Sequence, residues 1–442
     1  LLFWEGQVES SAEISKKAQE QIPKEEKYDL IRGDNELYYA MALQMNGKGD
    51  VAIRELKEKI AGHTKRKGMY FTRLISSPCF VHLLSGDLKQ AETASLQLKN
   101  VSKKSGLSYA DSWSDYMQAC CHFHAYDLDK ACHHFSVIAE RKYIMHTLQS
   151  ASCLAGLAMT YQATGRTEEA EATMDQLNEY AIEMNEPNLI VIARSARVRL
   201  SLIQGNLEPG IVWVRTFDEP LQMASFFVWL ELPHVTLCRV LTAIGSNDSL
   251  IKACERLELL LEIADTIHNT FHKIDILILQ GLAFYRLSRI QASLKVLEEA
   301  IKMAIPGGWI RPFVEAGPMM GDMLNRLQKR NIANDRVTIF LDVLEKTVPG
   351  FIQQASGRDR REAQNSIPRP VHPSSQPLTE ALSNREIDVL ELLDRRMRNK
   401  EIAEKLCISP QTVASHLKHI YQKLGVNNRL KAVQAAKRLK II

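Results

Sequence analysis

The hexapeptide GDLKQA at residues 86–91 decides how most of the chain reads. It returns as YDLDKA at 126–131 and as GRTEEA at 165–170, in the same register. Each copy has a turn residue, a polar helix start and then a small residue: Ala91, Ala131 and Ala170. A small side chain there lets a paired helix approach closely. Gly210 and Ser293 hold the same place further on. Moving outward, turn signals fall at Gly49-Asp50, Gly86-Asp87, Tyr126-Asp127, Gly165-Arg166, Gly205-Asn206, Ser246-Asn247 and Ser288-Arg289, about every 37 to 42 residues. Strand signals are nearly absent between them. Helix, short turn, helix at a fixed period is the pattern of an all-α superhelical solenoid, whose repeats stack into one continuous core around a concave face. The fifth and sixth repeats are degenerate. Pro209 falls in a first helical turn, where a missing N–H is tolerated.

These repeats resemble tetratricopeptide repeats, somewhat longer than the usual form. The resemblance implies a concave face that takes a peptide, a partner domain or a small effector. The repeats are expected to cover residues 1–305, with a helical cap over 306–352. The cap opens with GGWIRPFVEAGP at 307–318, in which Trp309 and Phe313 are expected to cover the exposed end of the solenoid.

The last stretch, residues 382–442, has a different design. A first helix is expected over 383–394, where Ser383 and Glu386 have capping-box spacing and Ile387, Leu390 and Leu393 form a buried stripe. A second runs over 399–406, with Ile402, Ala403 and Leu406 inward. After Cys407-Ile408-Ser409 comes a third, from Pro410 to Lys423, capped by Ser409. A fourth follows Asn428 to about Lys437. So short a turn between the second and third helices forces a steep crossing, the helix-turn-helix arrangement. In it the third helix enters the major groove of DNA. Its inward positions are Val413, His416 or Leu417, and Ile420. Its outward positions, Gln411, Thr412, Ala414, Ser415, Lys418 and Gln422, are polar and basic without acid, as a groove-facing surface requires.

LSNREIDVL, NKEIA, ISPQTVASHLKHIYQKLGV and NR..AV, in that order, resemble the LuxR-type helix-turn-helix domain across 378–442. The resemblance implies base-edge positions at Ala414, Ser415 and Lys418, and positions at or near the phosphates at Asn399, Lys400, Thr412 and Lys423. Gln411 is taken with this DNA-binding set. Family members often carry Lys at the Ala414 position, so Lys418 is left as the main base-reading side chain. Repeats, the GGWIRPF segment, short helices and a LuxR-type domain together resemble the C-terminal half of the MalT-like regulators of the signal-transduction ATPase class. That resemblance implies a bacterial transcription regulator, an activator, binding double-stranded DNA as a homo-oligomer. Its repeats would take a small-molecule or protein effector, RNA polymerase would be a partner, and an ATPase module would lie upstream.

Composition agrees with this picture. The net charge of +4 is uneven, with 13 Lys+Arg against 7 Asp+Glu from residue 377 onward. The excess of cations sits where phosphate contact is expected. No apolar run approaches the roughly 18 residues that span a bilayer, so no membrane partner is expected. Eight Cys without disulfide spacing suit a reducing cytoplasm. Residues 353–377, rich in Pro, Ser, Arg and Gln, are expected to be a flexible linker. The chain starts Leu1-Leu2-Phe3 in mid-pattern and is expected to be a piece of a longer protein.

Three constellations are set aside. Cys120, Cys121, His122, His124, Cys132, His133 and His134 are zinc-type ligands, but their spacing matches no zinc framework; packing is the favoured reading. No nucleophile elbow and no G-x-x-x-x-G-K-[ST] occurs, so no catalysis and no nucleotide cofactor is expected here; ATP belongs to the upstream module. Tyr109, Trp113, Tyr116, Trp213, Phe226, Phe227 and Trp229 could stack on a sugar or other flat effector, but aromatics in such repeats are usually core. The alternative function is a protein–protein interaction scaffold built on the repeats, with DNA binding secondary.

Overall fold

The computed structural model describes residues 7–63, 68–105, 107–221, 226–329, 335–351, 389–390, 392–395, 397–406, 410–424, 426 and 429–438. Its contacts divide the chain into two units, Leu1–Arg358 and Asp359–Ile442. The first unit is a helical solenoid. After α1 (Val8–Gln21) it stacks seven helix pairs among the described residues: α2 (Asp29–Met45) with α3 (Gly49–Gly62), α4 (Met69–Leu84) with α5 (Leu88–Ser105), α6 (Ser108–Ala125) with α7 (Leu128–Ala139), α8 (Thr147–Ala163) with α9 (Thr167–Met184), α10 (Pro187–Ile203) with α11 (Glu208–Thr216), α12 (Pro233–Ile244) with α13 (Asn247–Thr266), and α14 (Thr270–Arg286) with α15 (Ile290–Gly307).

One backbone device makes every turn within a pair. Gly47, Gly86, Tyr126, Gly165, Gly205, Gly245 and Ser288 all have left-handed φ, between 59° and 80°. In six of the seven, the next residue's N–H reaches back to a carbonyl five residues earlier, as Asp87 does to His82 at 2.9 Å. This is the Schellman closure of a helix C-terminus. The turn residues lie 39 to 43 apart, a tighter period than the sequence signals suggested. Two of those signals were misplaced. Gly49 opens α3, and the left-handed residue is Gly47; Ser246 is the N-cap of α13, its hydroxyl accepting from the Ser249 N–H at 3.2 Å, and Gly245 makes the turn. Counted from the turn, the fifth residue is Ala52, Ala91, Ala131, Ala170, Gly210 or Ser293, all buried, with Leu250 in the sixth pair. At Gly210 an added Cβ would stand 3.0 Å from both Val240 methyl groups.

The fifth pair departs from the others. Its second helix, α11, has nine residues. Further on, residues 226–232 form a non-helical strap, FFVWLEL, buried inside the superhelix. Its polar groups are matched by the repeats. The Val228 carbonyl accepts from Tyr116 Oη at 2.6 Å, the Leu230 N–H donates to Ser152 Oγ at 2.9 Å, and the Phe226 carbonyl accepts from Asn269 Nδ2 at 2.9 Å. A non-helical segment can be buried only when its backbone is satisfied in this way.

The superhelix curls far enough for its ends to meet. Gln44 Nε2 donates to the His268 carbonyl at 3.2 Å, and Trp309 Nε1 to the Gly86 carbonyl at 2.7 Å. Trp309 is therefore not part of a cover at the end of the stack. It is fully buried against His124 and Phe271, inside the curl. Phe313 does meet the helices that follow, its ring 4.5 Å from Phe340. These are α16 (Arg311–Glu315), α17 (Pro318–Lys329) and α18 (Asp335–Thr347). The expected linker, 353–377, lies outside the described residues.

In the second unit the described helices are α19 (Asn399–Lys405), α20 (Pro410–Lys423) and α21 (Arg429–Arg438). Among the described residues no helix is long and apolar enough to cross a membrane.

Candidate nucleic-acid interface

The second unit is held by a small apolar core. Val389, Leu390, Leu393, Ile402, Ala403, Val413, Leu417, Ile420, Ala432 and Ala436 are all buried. Along α20 the buried residues recur at 413, 417 and 420, one face of a helix. Leu417, not His416, fills the middle position: Leu417 is 7% exposed and His416 half-buried. The start of α19 is closed by Glu401, which accepts the Arg398 N–H at 2.5 Å. This is the acidic half of a capping box, and it places a carboxylate where the helix dipole favours one. The expected first helix is described only at 389–390 and 392–394, so Ser383, Glu386 and Ile387 lie outside the described residues, as do Ser409 and Asn428.

The proposed DNA contacts fall out as follows. Lys400, in the first turn of α19, is exposed, as are Thr412 and Lys418 on α20. Lys423, in the last turn of α20, is half-buried. Gln411, Ala414 and Ser415 have their backbones in α20, but their side chains lie outside the described residues. Asn399 is half-buried, and its Oδ1 accepts from Arg429 Nη1 at 3.3 Å. Arg429 also donates to the Met397 carbonyl. Arg429 thus ties the start of α21 to the start of α19, a role that the sequence reading did not assign. Its signal was present: it is the Arg of the NR..AV motif. Lys437 pairs with Asp394 at 2.8 Å across the same unit.

Two side-chain clusters lie inside the described part of the first unit. The strap brings Phe227 and Trp229 against Tyr109, Trp113 and Phe80, around a cavity of about 170 Å³. Four of the aromatics marked in the sequence, distant along the chain, meet there. Trp113, Phe227 and Trp229 are buried, while Tyr109 is 38% exposed. Asp34 and Arg73 line the same cavity and pair at 2.9 Å. Burial raises the Asp34 carboxyl above its ordinary value, against the pull of Arg73. Tyr116 stands behind this wall, Phe226 packs on His272, and Trp213 belongs to a separate small cluster with Phe217.

The other site is a buried charge cluster that joins repeats, strap and α16. Arg199 forks onto Glu315 with two bonds of 2.8 Å and reaches Glu231 of the strap at 3.2 Å. Arg311 grips Asp275 at 2.8 and 3.0 Å and also pairs with Glu315. Arg239 reaches Asp275 at 3.3 Å. Buried in opposed pairs, these charges offset much of their mutual desolvation. Despite its burial, Glu315 is held well below the ordinary carboxylate range by Arg199, Arg311 and Arg239.

Among the described residues no group of three or more His, Cys, Asp or Glu has an arrangement that could hold a metal ion. Cys120, Cys121 and His124 are core, His133 is exposed, and His122 stacks on His134 with ring centroids 5.8 Å apart. His134 Nδ1 lies 3.0 Å from Asp115 Oδ1.

A family model described as "MalT-like TPR region" matches residues 2–330. Another, "Bacterial regulatory proteins, luxR family", matches residues 380–436. Among curated proteins the chain is similar to the HTH-type transcriptional regulator MalT of Serratia proteamaculans (strain 568), 25% identical over 66% of this chain and 32% of that protein. It is 24% identical to the HTH-type transcriptional regulator MalT of Vibrio campbellii (strain ATCC BAA-1116), over 55% of this chain and 27% of that protein. The chain thus spans about one third of the length of the curated relatives it matches.

Proposed function

The chain belongs to the MalT-like TPR family and ends in a luxR-family domain, and from that premise we propose that it is the signal-receiving and DNA-binding part of a transcription activator. The carrying observation is the match of residues 380–436 to the luxR family, over a unit whose α20 has one buried apolar face while Thr412 and Lys418 are exposed. Lys418 reads a base edge in the major groove; Lys400, Thr412 and Lys423 hold phosphates, and Gln411, Ala414 and Ser415 complete the groove-facing set. Asn399 acts mainly by its bond to Arg429, which orients α19. One recognition helix covers few base pairs, so the protein works as a homo-oligomer on repeated half-sites. There it recruits RNA polymerase, in the bacterial cytoplasm. The repeats bind a small flat effector, for which the aromatic cavity at Trp113, Phe227 and Trp229 is the candidate site, and shift the chain towards the DNA-competent state. The scaffold reading is weaker, because the strap and Trp309 already occupy the inside of the superhelix, where a partner peptide would lie.

Titration of specific and scrambled duplexes by fluorescence anisotropy tests the DNA reading. Lys418→Ala should weaken the specific duplex by about tenfold and relax preference at one position. Lys400→Ala should weaken both duplexes alike and reduce the salt slope by about one. Unchanged affinity for both variants at moderate salt would sink the assignment.

A further inference from the structure

A cavity of about 240 Å³ lies among α10, α12, α14, α16 and the start of α17, next to the charge cluster. Its lining combines apolar Ile278, Leu282 and Met319 with Arg239 and Arg286, and the paired carboxylates of Asp275 and Glu315 border it as well. The cations are under-compensated. Arg199, Arg239, Arg286 and Arg311 stand against Glu231, Asp275 and Glu315, an excess of one positive charge. The carboxylates are spent on Arg199 and Arg311, and Arg239 keeps only long contacts, 3.3 Å to Asp275 and 3.8 Å to Glu315. Among the described residues no carboxylate pairs with Arg286. Its guanidinium donates only to the backbone carbonyls of Thr242 and Ala243, at 2.5 and 3.0 Å. Burial pulls both Arg239 and Arg286 below the ordinary guanidinium value.

A second observation lies in the same lining. Thr242, 6% exposed, has a buried hydroxyl with no hydrogen-bond partner among the described residues. An orphaned buried hydroxyl costs about 1–3 kcal/mol, and it stands beside an unpaired guanidinium. A guanidinium with no carboxylate partner and an orphaned hydroxyl, in one lining with aliphatic side chains, suit an amphiphilic anion.

We propose that this cavity binds a small organic monocarboxylate, its oxygens taken by Arg286, Arg239 and the Thr242 hydroxyl and its short aliphatic body packed on Ile278, Leu282 and Met319. One negative charge neutralises the cluster. A dianion would leave a second charge buried near Asp275 and Glu315, so a carboxylate fits better than a phosphate monoester. The volume is at or below the lower end of ligand pockets, which excludes nucleotides. Met319 and Pro312, which also lines the cavity, belong to the segment beyond the repeats. An occupant therefore bridges α12 and α14 to α16 and α17 and holds that segment in place. The site lies within the first unit, and its test does not depend on DNA binding.

The test uses the whole chain, in calorimetric and thermal-shift titrations. The probes are a carboxylate series from acetate to 4-methylpentanoate, with 4-methylpentanamide and isobutyl phosphate as the other arms. Affinity should rise with chain length among the carboxylates, and the amide and the phosphate should each bind about tenfold more weakly. Arg286→Gln should remove the preference for acid over amide. Thr242→Val, which keeps shape and loses only the hydroxyl, should weaken the carboxylate by a few fold and leave the amide unchanged, so the result does not hang on the folding of one variant. Three outcomes overturn the proposal: no carboxylate binds, acid and amide bind alike, or folded Thr242→Val and Arg286→Gln keep the full preference. Stronger binding of the phosphate would overturn the choice of a monoanion.

Discussion

Single residues in this protein do work that their immediate neighbours in the chain do not explain. His272 is buried, with Nε2 2.5 Å from the Phe227 carbonyl of the strap. Burial lowers its imidazole to about 4, below the ordinary 6.5. The folded chain thus keeps it neutral where the unfolded chain takes a proton. The stability it contributes is complete above about pH 6.5 and is lost as pH falls towards about 4, by at most about 3 kcal/mol. His124, also pushed well down by burial, acts in the same direction. Urea unfolding across this range should show declining stability in the wild type and a shallower decline in His272→Gln. An equal decline in both would show that His272 is not responsible. Arg429 is the comparable residue of the second unit: its bonds to Met397 and Asn399 order the start of α19, so this cation serves the fold.

At the scale of the element, the repeat is defined by its left-handed turn. Five of the seven turn residues are Gly, but Tyr126 and Ser288 take the same conformation with a side chain present. An L-residue there costs about 1–2 kcal/mol. Ser288→Gly should therefore stabilise the chain, by somewhat less than this because glycine also loosens the unfolded state. Gly165 has φ +78° and open space where a Cβ would stand, so Gly165→Ala isolates the backbone term and should destabilise by about 1 kcal/mol. Paired thermal melts check both signs. This element was legible before the structure because turn and small residue are local features. The sequence marks slipped at Gly49 and Ser246, where two turn-forming residues lie close together and only φ tells which one bends. The strap at 226–232 was not legible: FFVWLEL has neither an alternating nor a helical pattern, since it is buried on all sides and satisfied by side chains from four different helices.

At the scale of the molecule, the solenoid is a closed curl, and Trp309 is one of its fastenings. Its Nε1–Gly86 bond joins residues 223 apart in the chain. Trp309→Ala should cost about 3–5 kcal/mol, as for a large buried aromatic, and hydrogen exchange should rise at both the α4–α5 turn and the end of α15. Protection lost only near residue 309 would mean that the ends do not support each other. The luxR-family match at residues 380–436 was recognisable from sequence because a helix-turn-helix is a short, local motif with a fixed order of apolar and polar positions. The period of the repeats, the all-helical class and the concentration of positive charge after residue 377 were likewise set by the sequence alone, since each depends on spacing along the chain. The tertiary structure alone decided which aromatics share a cavity, that Trp309 lies inside the curl, and that three arginines and three acids from the repeats, the strap and α16 form one buried cluster with Arg286 left over. Those pairings depend on how far the superhelix turns per repeat, a sum of many small packing angles that no single stretch of sequence encodes.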